Sequence, residues 1–100
     1  MIVLIAEFKT KSDCRDKMIE ISEPMVKLSN QEEGCISYEF MQNPYDPDSF
    51  KFVERWRSQP DLNLHFEKSY FKNFTNKFPE LLQEPETLNI YHVSEDNMVA

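Results

Sequence analysis

A chain of 100 residues that is 40% hydrophobic, 29% charged and 13% aromatic has the make-up of one folded domain, not of a disordered segment. Its formal charge of −7 excludes the basic face that nucleic acid and anionic membranes reward, so neither is an expected partner. The single glycine, Gly34, excludes glycine-rich phosphate loops and dinucleotide fingerprints, and two distant histidines without Cys-x-x-Cys or His-Glu-x-x-His spacing leave no metal to expect.

Residues 1–100 read as one domain with room for a core but not for a deep pocket of its own, so a sizeable cavity calls for a second subunit. The opening "MIVLIAEFKT" lacks a basic stretch and a small-residue cleavage site, which makes it a strand and not a leader or membrane span. Cys14 and Cys35 are then expected as free, buried thiols in a cytoplasmic protein.

In residues 2–9, Ile2, Leu4, Ala6 and Phe8 alternate with Val3, Ile5 and Glu7, a strand with two largely apolar faces. Cys14, Met18, Ile21, Met25 and Leu28 then recur as the stripe of an amphipathic helix. Ser12 is the expected N-cap, Pro24 an expected bend, and Gly34 the expected left-handed residue that ends the segment.

Residues 35–43 alternate again, with Ile36, Tyr38 and Phe40 opposite Cys35, Ser37, Glu39 and Met41. "NPYDPDS" is a turn sequence, and the strand Phe50 to Trp56 behind it completes an antiparallel hairpin. Pro60 stands at a helix start, with Ser58 and Asp61 in capping spacing. The following segment carries Leu62, His65, Phe66, Phe71, Phe74, Phe78 and Leu81, with a break expected near Ser69 and an end or kink at Pro79. "TLNIYHV", residues 87–93, is a last strand before a polar tail.

Strand, helix, strand, strand, helix, strand is the order of a ferredoxin-like βαββαβ plait: α+β, one four-stranded antiparallel sheet with both helices on one face. The other face also carries apolar side chains, so a homodimer with a second sheet packed there is expected.

At this level of detail, "EEGC" (Glu32 to Cys35), the strand with Tyr38, and "FVERWRSQPDLNLHFEKSYFK" are similar to the antibiotic biosynthesis monooxygenase family of dimeric α+β barrel proteins. The shared features are the Glu-x-Gly hinge, the Glu-x-Trp strand end and a histidine nine residues after the tryptophan. The resemblance spans nearly the whole chain, and the family includes quinol and polyketide monooxygenases that use neither metal nor flavin, haem-degrading enzymes and an isomerase of a phosphorylated sugar.

The resemblance implies a cofactor-independent monooxygenase acting on a small aromatic or quinol-type substrate with dioxygen. His65 falls on the histidine of many quinol-oxidising members. A second family histidine, in a Pro-His pair, is replaced here by Ser69 and Tyr70. The three residues of the haem-degrading members fall on Phe8, His65 and Thr75, which removes the haem reading.

Such chemistry needs a base, and an imidazole titrating near neutrality supplies one in His65. Trp56, Tyr38, Phe52 and Phe71 are the expected pocket walls, and Tyr70 or Tyr38 the donor to a developing oxyanion. Each also has a plainer role open to it: His65 and Trp56 as core packing, and Glu54 as one half of a salt bridge with Arg55, Arg57 or a helix residue. On the same scaffold, an isomerase or other proton-transfer enzyme, or a non-catalytic ligand-binding dimer, stays open.

Overall fold

The computed structural model describes residues 1–94; the last residues of the expected polar tail, 95–100, lie outside the described residues. The strands β1 (Ile2–Lys9), β2 (Cys35–Asn43), β3 (Asp46–Trp56) and β4 (Thr87–His92) form one antiparallel sheet in the order β2-β3-β1-β4. The helices are α1 (Arg15–Asn30), α2 (Gln59–Glu67), α3 (Ser69–Thr75) and a single turn, α4 (Phe78–Leu81). This is the ferredoxin-like plait, with its second helical segment in three pieces.

Alternation decides which face is buried. Ile2, Leu4, Ala6 and Phe8 of β1 lie against Phe50, Phe52, Glu54 and Trp56 of β3 in register, and all are buried except for their edges. Helix α1 seals this face with Met18, Ile21 and Met25, and α2 to α4 add Leu62, Phe74, Phe78 and Leu81. Rings of Phe8, Phe50, Phe52, Phe74 and Phe78 meet at centroid distances of 4.9 to 5.9 Å. Stripes at periods 2 and 3.6 thus meet in one core, where burial supplies most of the stabilisation.

Several local expectations are corrected. Helix α1 begins at Arg15 after a 3₁₀ turn over Ser12–Cys14, and the Ser12 hydroxyl donates to Asp48 instead of capping. Gly34 has no positive φ; glycine is needed there because an added Cβ would stand 2.3 Å from Cβ of Asp61, at the start of α2. The hairpin turn is only Pro44 and Tyr45, so β3 starts at Asp46.

A bulge between Cys35 and Ser37 moves Ile36 off Tyr38's face. Ile36 is 55% exposed, while Cys35 packs against the core. Both cysteines are free, as expected, but only half-buried. Pro24 sits inside α1, which continues through it. The segment behind Ser58 breaks at Lys68, whose extended backbone separates α2 from α3. Pro79 opens the turn α4 instead of ending a helix.

The opposite sheet face is open. Val3 and Ile5 of β1 and Val53 of β3 are half-buried there, in register with Tyr91 and Asn89 of β4. Every residue of β4 is exposed. No helix of the described residues is long and apolar enough to cross a membrane.

Candidate functional site

The Ser58 cap sets the start of α2. Its Oγ accepts the Asp61 backbone N–H at 3.3 Å and donates to the Asp61 carboxylate at 2.6 Å. Arg57 adds a two-pronged ion pair with Asp61 at 3.0 Å on each arm. This knot ties the end of β3 to the first turn of α2 and points Leu62 and His65 inward, one turn apart on the buried face.

His65 is completely buried. Its Nδ1 lies 2.6 Å from Oε2 of Glu32, and the Tyr70 hydroxyl donates to the same oxygen. That carboxylate is only 10% exposed. A carboxylate that accepts from a phenol assigns the ring proton to Nδ1 and the lone pair to Nε2. Nε2 has no hydrogen-bond partner among the described residues.

Burial lowers the proton affinity of His65 below the ordinary histidine value; Glu32 opposes this, and Lys68 adds slightly to the lowering. The imidazole is therefore neutral at pH 7, the form that can take a proton. Around it stand rings from three elements: Trp56 at 4.6 Å, Phe71 at 4.9 Å, Tyr38 at 5.5 Å and Tyr70 at 6.2 Å between centroids. Phe66 closes the group at 6.0 Å.

Of the residues singled out from the sequence, the structure brings His65, Trp56, Tyr38, Tyr70 and Phe71 together. Phe52 is one layer away, against Tyr38 at 5.3 Å and Phe74 at 5.7 Å. Trp56, Tyr38 and Phe52 are buried to 3% exposure or less, whereas Tyr70 and Phe71 are half-buried. Glu54 is buried too, and its expected arginine partners are elsewhere: Arg57 serves Asp61 and Glu33, and Arg55 lies on the opposite sheet face, paired with Val3. The Trp56 indole N–H donates to Glu54 Oε1 at 3.0 Å instead.

Glu32 is the site residue that sequence reasoning missed. It stands in "EEGC", where it marked a helix end and a family hinge, and its bond to His65 crosses 33 positions, which no periodic signal reports.

Two surface cavities lie elsewhere. One of about 500 Å³ opens near the hairpin end of the sheet, between Lys9, Met41, Lys51 and Glu84; the other, about 350 Å³, lies beside Phe78 and Gln83. The ring cage over His65 is closed by side chains of α2 and α3. Among the described residues, no group of three or more histidine, cysteine or acidic side chains is arranged to hold a metal ion.

Comparison with known proteins places the chain. The uncharacterised Synechocystis protein sll1783 is 37% identical over 94 residues, which are 94% of this chain but only 64% of that protein's length. YcnE of Bacillus subtilis, provisionally named a monooxygenase, is 31% identical over 85% of this chain and 90% of its own. The solved structure of Rv0793 from Mycobacterium tuberculosis superposes with a TM-score of 0.90 at 23% identity, covering 97% of this chain and 98% of that one. The family model described as antibiotic biosynthesis monooxygenase matches residues 1–77, and the chain belongs to that family.

Proposed function

We propose that the chain is a monooxygenase that oxidises a small electron-rich aromatic, of the quinol or anthrone type, with dioxygen, and that His65 is its base. The observation that carries this reading is the pairing of the buried His65 with the largely covered Glu32, with Nδ1 anchored at 2.6 Å and Nε2 left without a partner. A carboxylate that orients an imidazole and stabilises its protonated form is a general-base arrangement.

The chemistry follows from the substrate. Nε2 removes the acidic proton of an anthrone or phenol, leaving an anion that can itself donate electrons to dioxygen. For an anthrone, carbon–oxygen bond formation at the deprotonated carbon gives a peroxide anion, which takes back the proton held on Nε2 and becomes a hydroperoxide. Loss of water then leaves a ketone, so one oxygen atom enters the product and the other leaves in water. Trp56, Tyr38 and Phe71 offer ring faces to a planar substrate, and Tyr70 offers a hydroxyl to the anion once it leaves Glu32. Phe52 supports Tyr38 from behind.

Entry needs the cage to open. Tyr70, Phe71 and Phe66 all belong to the α2–α3 segment, whose helical bonding is interrupted at Lys68, so that segment is the mobile wall of the site. A second copy of the chain covers the open sheet face, where Val3, Ile5, Val53 and Tyr91 stand.

Dissolved-oxygen uptake with a panel of anthrones and hydroquinones tests the reading, with His65→Ala and His65→Gln run beside the wild type. Uptake that falls about 100-fold or more in both variants supports it, in line with the usual worth of a positioned base. Uptake unchanged by either variant removes His65 from the chemistry. The closed cage favours a second reading, a binding protein without turnover; a well-folded wild type that binds these aromatics but consumes no oxygen would establish it. Product formation without oxygen uptake would point to proton transfer alone, as in an isomerase.

A further inference from the structure

Glu54 is the one buried carboxylate among the described residues. It lies in the middle of the helix-covered sheet face, in register with Leu4 on one side and Tyr38 on the other. A carboxyl group there carries a large desolvation penalty, and no cation offsets it. A leucine would fill the space more cheaply. Its direct partner is the Trp56 indole, whose N–H donates to Oε1 at 3.0 Å.

That indole is wholly buried and lies against the His65 imidazole at 4.6 Å, tilted by 39°. The order of contacts is therefore Glu54, Trp56, His65, Glu32, with one carboxylate at each end. Glu32 orients the imidazole by its edge, and Glu54 orients the ring that packs on the imidazole's face.

We propose that Glu54 is a positioning residue of the His65 site, fixing the Trp56 indole against the imidazole through the Nε1–H to Oε1 bond. The inference rests on the reading of His65 as the functional base.

The bond responds to pH. Burial pushes the Glu54 carboxyl up to about 7, against the opposing hydrogen-bonding influence of Trp56 and Tyr38 and with a smaller push from Glu32. An ionised carboxylate is the stronger acceptor of an indole N–H. The titratable groups that face it are Tyr38 and Cys35 on β2 and Glu32 before β2; His65 on α2 stands behind the Trp56 indole. Its β1 neighbour is Leu4, and the side chains that α1 buries are Met18, Ile21, Ser22, Met25 and Ser29, none of them charged.

The chain has a single tryptophan, so the indole N–H gives one unambiguous signal in a proton–nitrogen correlation spectrum of the full-length protein. Followed from about pH 5 to pH 9, that signal should move with a midpoint of about 7. In Glu54→Gln, which keeps an accepting oxygen and loses the charge, it should stand still. In Glu54→Leu it should sit upfield at every pH, with the His65 ring resonances displaced.

Turnover should agree, with kcat down about tenfold in Glu54→Leu, KM little changed, and Glu54→Gln restoring most of the loss at neutral pH. A wild-type indole signal that ignores pH overturns the proposal, and so does a Glu54→Gln protein that keeps the wild-type midpoint, which would trace the response to His65. Imidazole resonances unmoved in Glu54→Leu also overturn it. Should Glu54→Leu not fold, the wild-type and Glu54→Gln spectra decide alone. A wild type inactive on every aromatic tested would sink the monooxygenase reading and leave these spectra to judge Glu54.

Discussion

His65 Nδ1 and Glu32 Oε2 lie 2.6 Å apart, joining α2 to the turn before β2 inside a cage of aromatic rings. Desolvation lowers the proton affinity of the imidazole and Glu32 raises it, so the two effects contend over one ring. Glu32→Gln removes the charge that favours the protonated ring and should lower the His65 midpoint further. A ring-proton NMR titration measures it. A midpoint that rises or stays put would show that Glu32 does not govern the base.

Glu54→Gln should change stability in a pH-dependent way. The unfolded carboxyl has its ordinary value of 4.5, and the folded one about 7. Between these values the folded state holds a proton that the unfolded state has released. The stability tied to Glu54 is therefore full below about pH 4.5 and lost as pH rises through about 7. By pH 8 the loss approaches roughly 3 kcal/mol, so Glu54→Gln should be the more stable protein there by about 2 to 3 kcal/mol. Its advantage should shrink to under about 1 kcal/mol at pH 5. Urea unfolding at both pH values tests this, and the His65 contribution, common to both proteins, cancels in the comparison. An equal difference at both pH values would place no titration at Glu54.

The fold was legible where periodicity is local. The stripe Cys14, Met18, Ile21, Met25 and Leu28 names a helix face without reference to any other element, and its middle three residues are buried while Leu28 is exposed. Alternation in β1 marked a strand, but with both faces largely apolar it did not say which one the helices cover. The nine-residue spacing of Trp56 and His65 likewise carried them to one place, because a capped helix follows the strand directly. What escaped were features made by long-range contact. The bulge at Ile36 leaves an alternating pattern intact in sequence while moving one residue out of it. Glu54 was assigned a cation because buried carboxylates are ordinarily paired with one, and it found an indole two residues away. Glu32 has no signature of its own; only the fold brings it to His65.

Gly34 is a tight steric point. An added Cβ would stand 2.2 to 2.5 Å from atoms of the Asp61 side chain, Cβ among them, and Cβ cannot swing away as a flexible tip can. Arg57 N–H also donates to the Gly34 carbonyl at 2.8 Å, which fixes the two segments together. Gly34→Ala should cost about 1 to 3 kcal/mol as an overpacked contact. For a chain of this length that is roughly 5 to 20 °C in Tm. It should also loosen the Ser58 cap and with it the placement of His65. Calorimetry gives the first effect, and recovery in the double variant with Asp61→Gly gives the cause. A Gly34→Ala protein with wild-type Tm would show that α2 shifts freely.

The open sheet face carries the last prediction. Ile5 is flanked in register by Val53 on β3 and Asn89 on β4, and the next row across holds Arg55, Val3 and Tyr91. Val3 and Ile5 are only half-buried, and Tyr91 is 51% exposed. A second sheet laid on this face at the usual spacing of about 10 Å would remove those side chains from water. The wild type should therefore run as a dimer in light scattering at micromolar concentration. Ile5→Glu puts a charge at the centre of that surface and should weaken association at least about 100-fold, close to 2.7 kcal/mol. Each protomer should keep its fold, because Ile5 points away from the core that Leu4 and Ala6 build. A wild type that is monomeric throughout, or an Ile5→Glu dimer of undiminished affinity, would put the partner on another surface and leave this face to water.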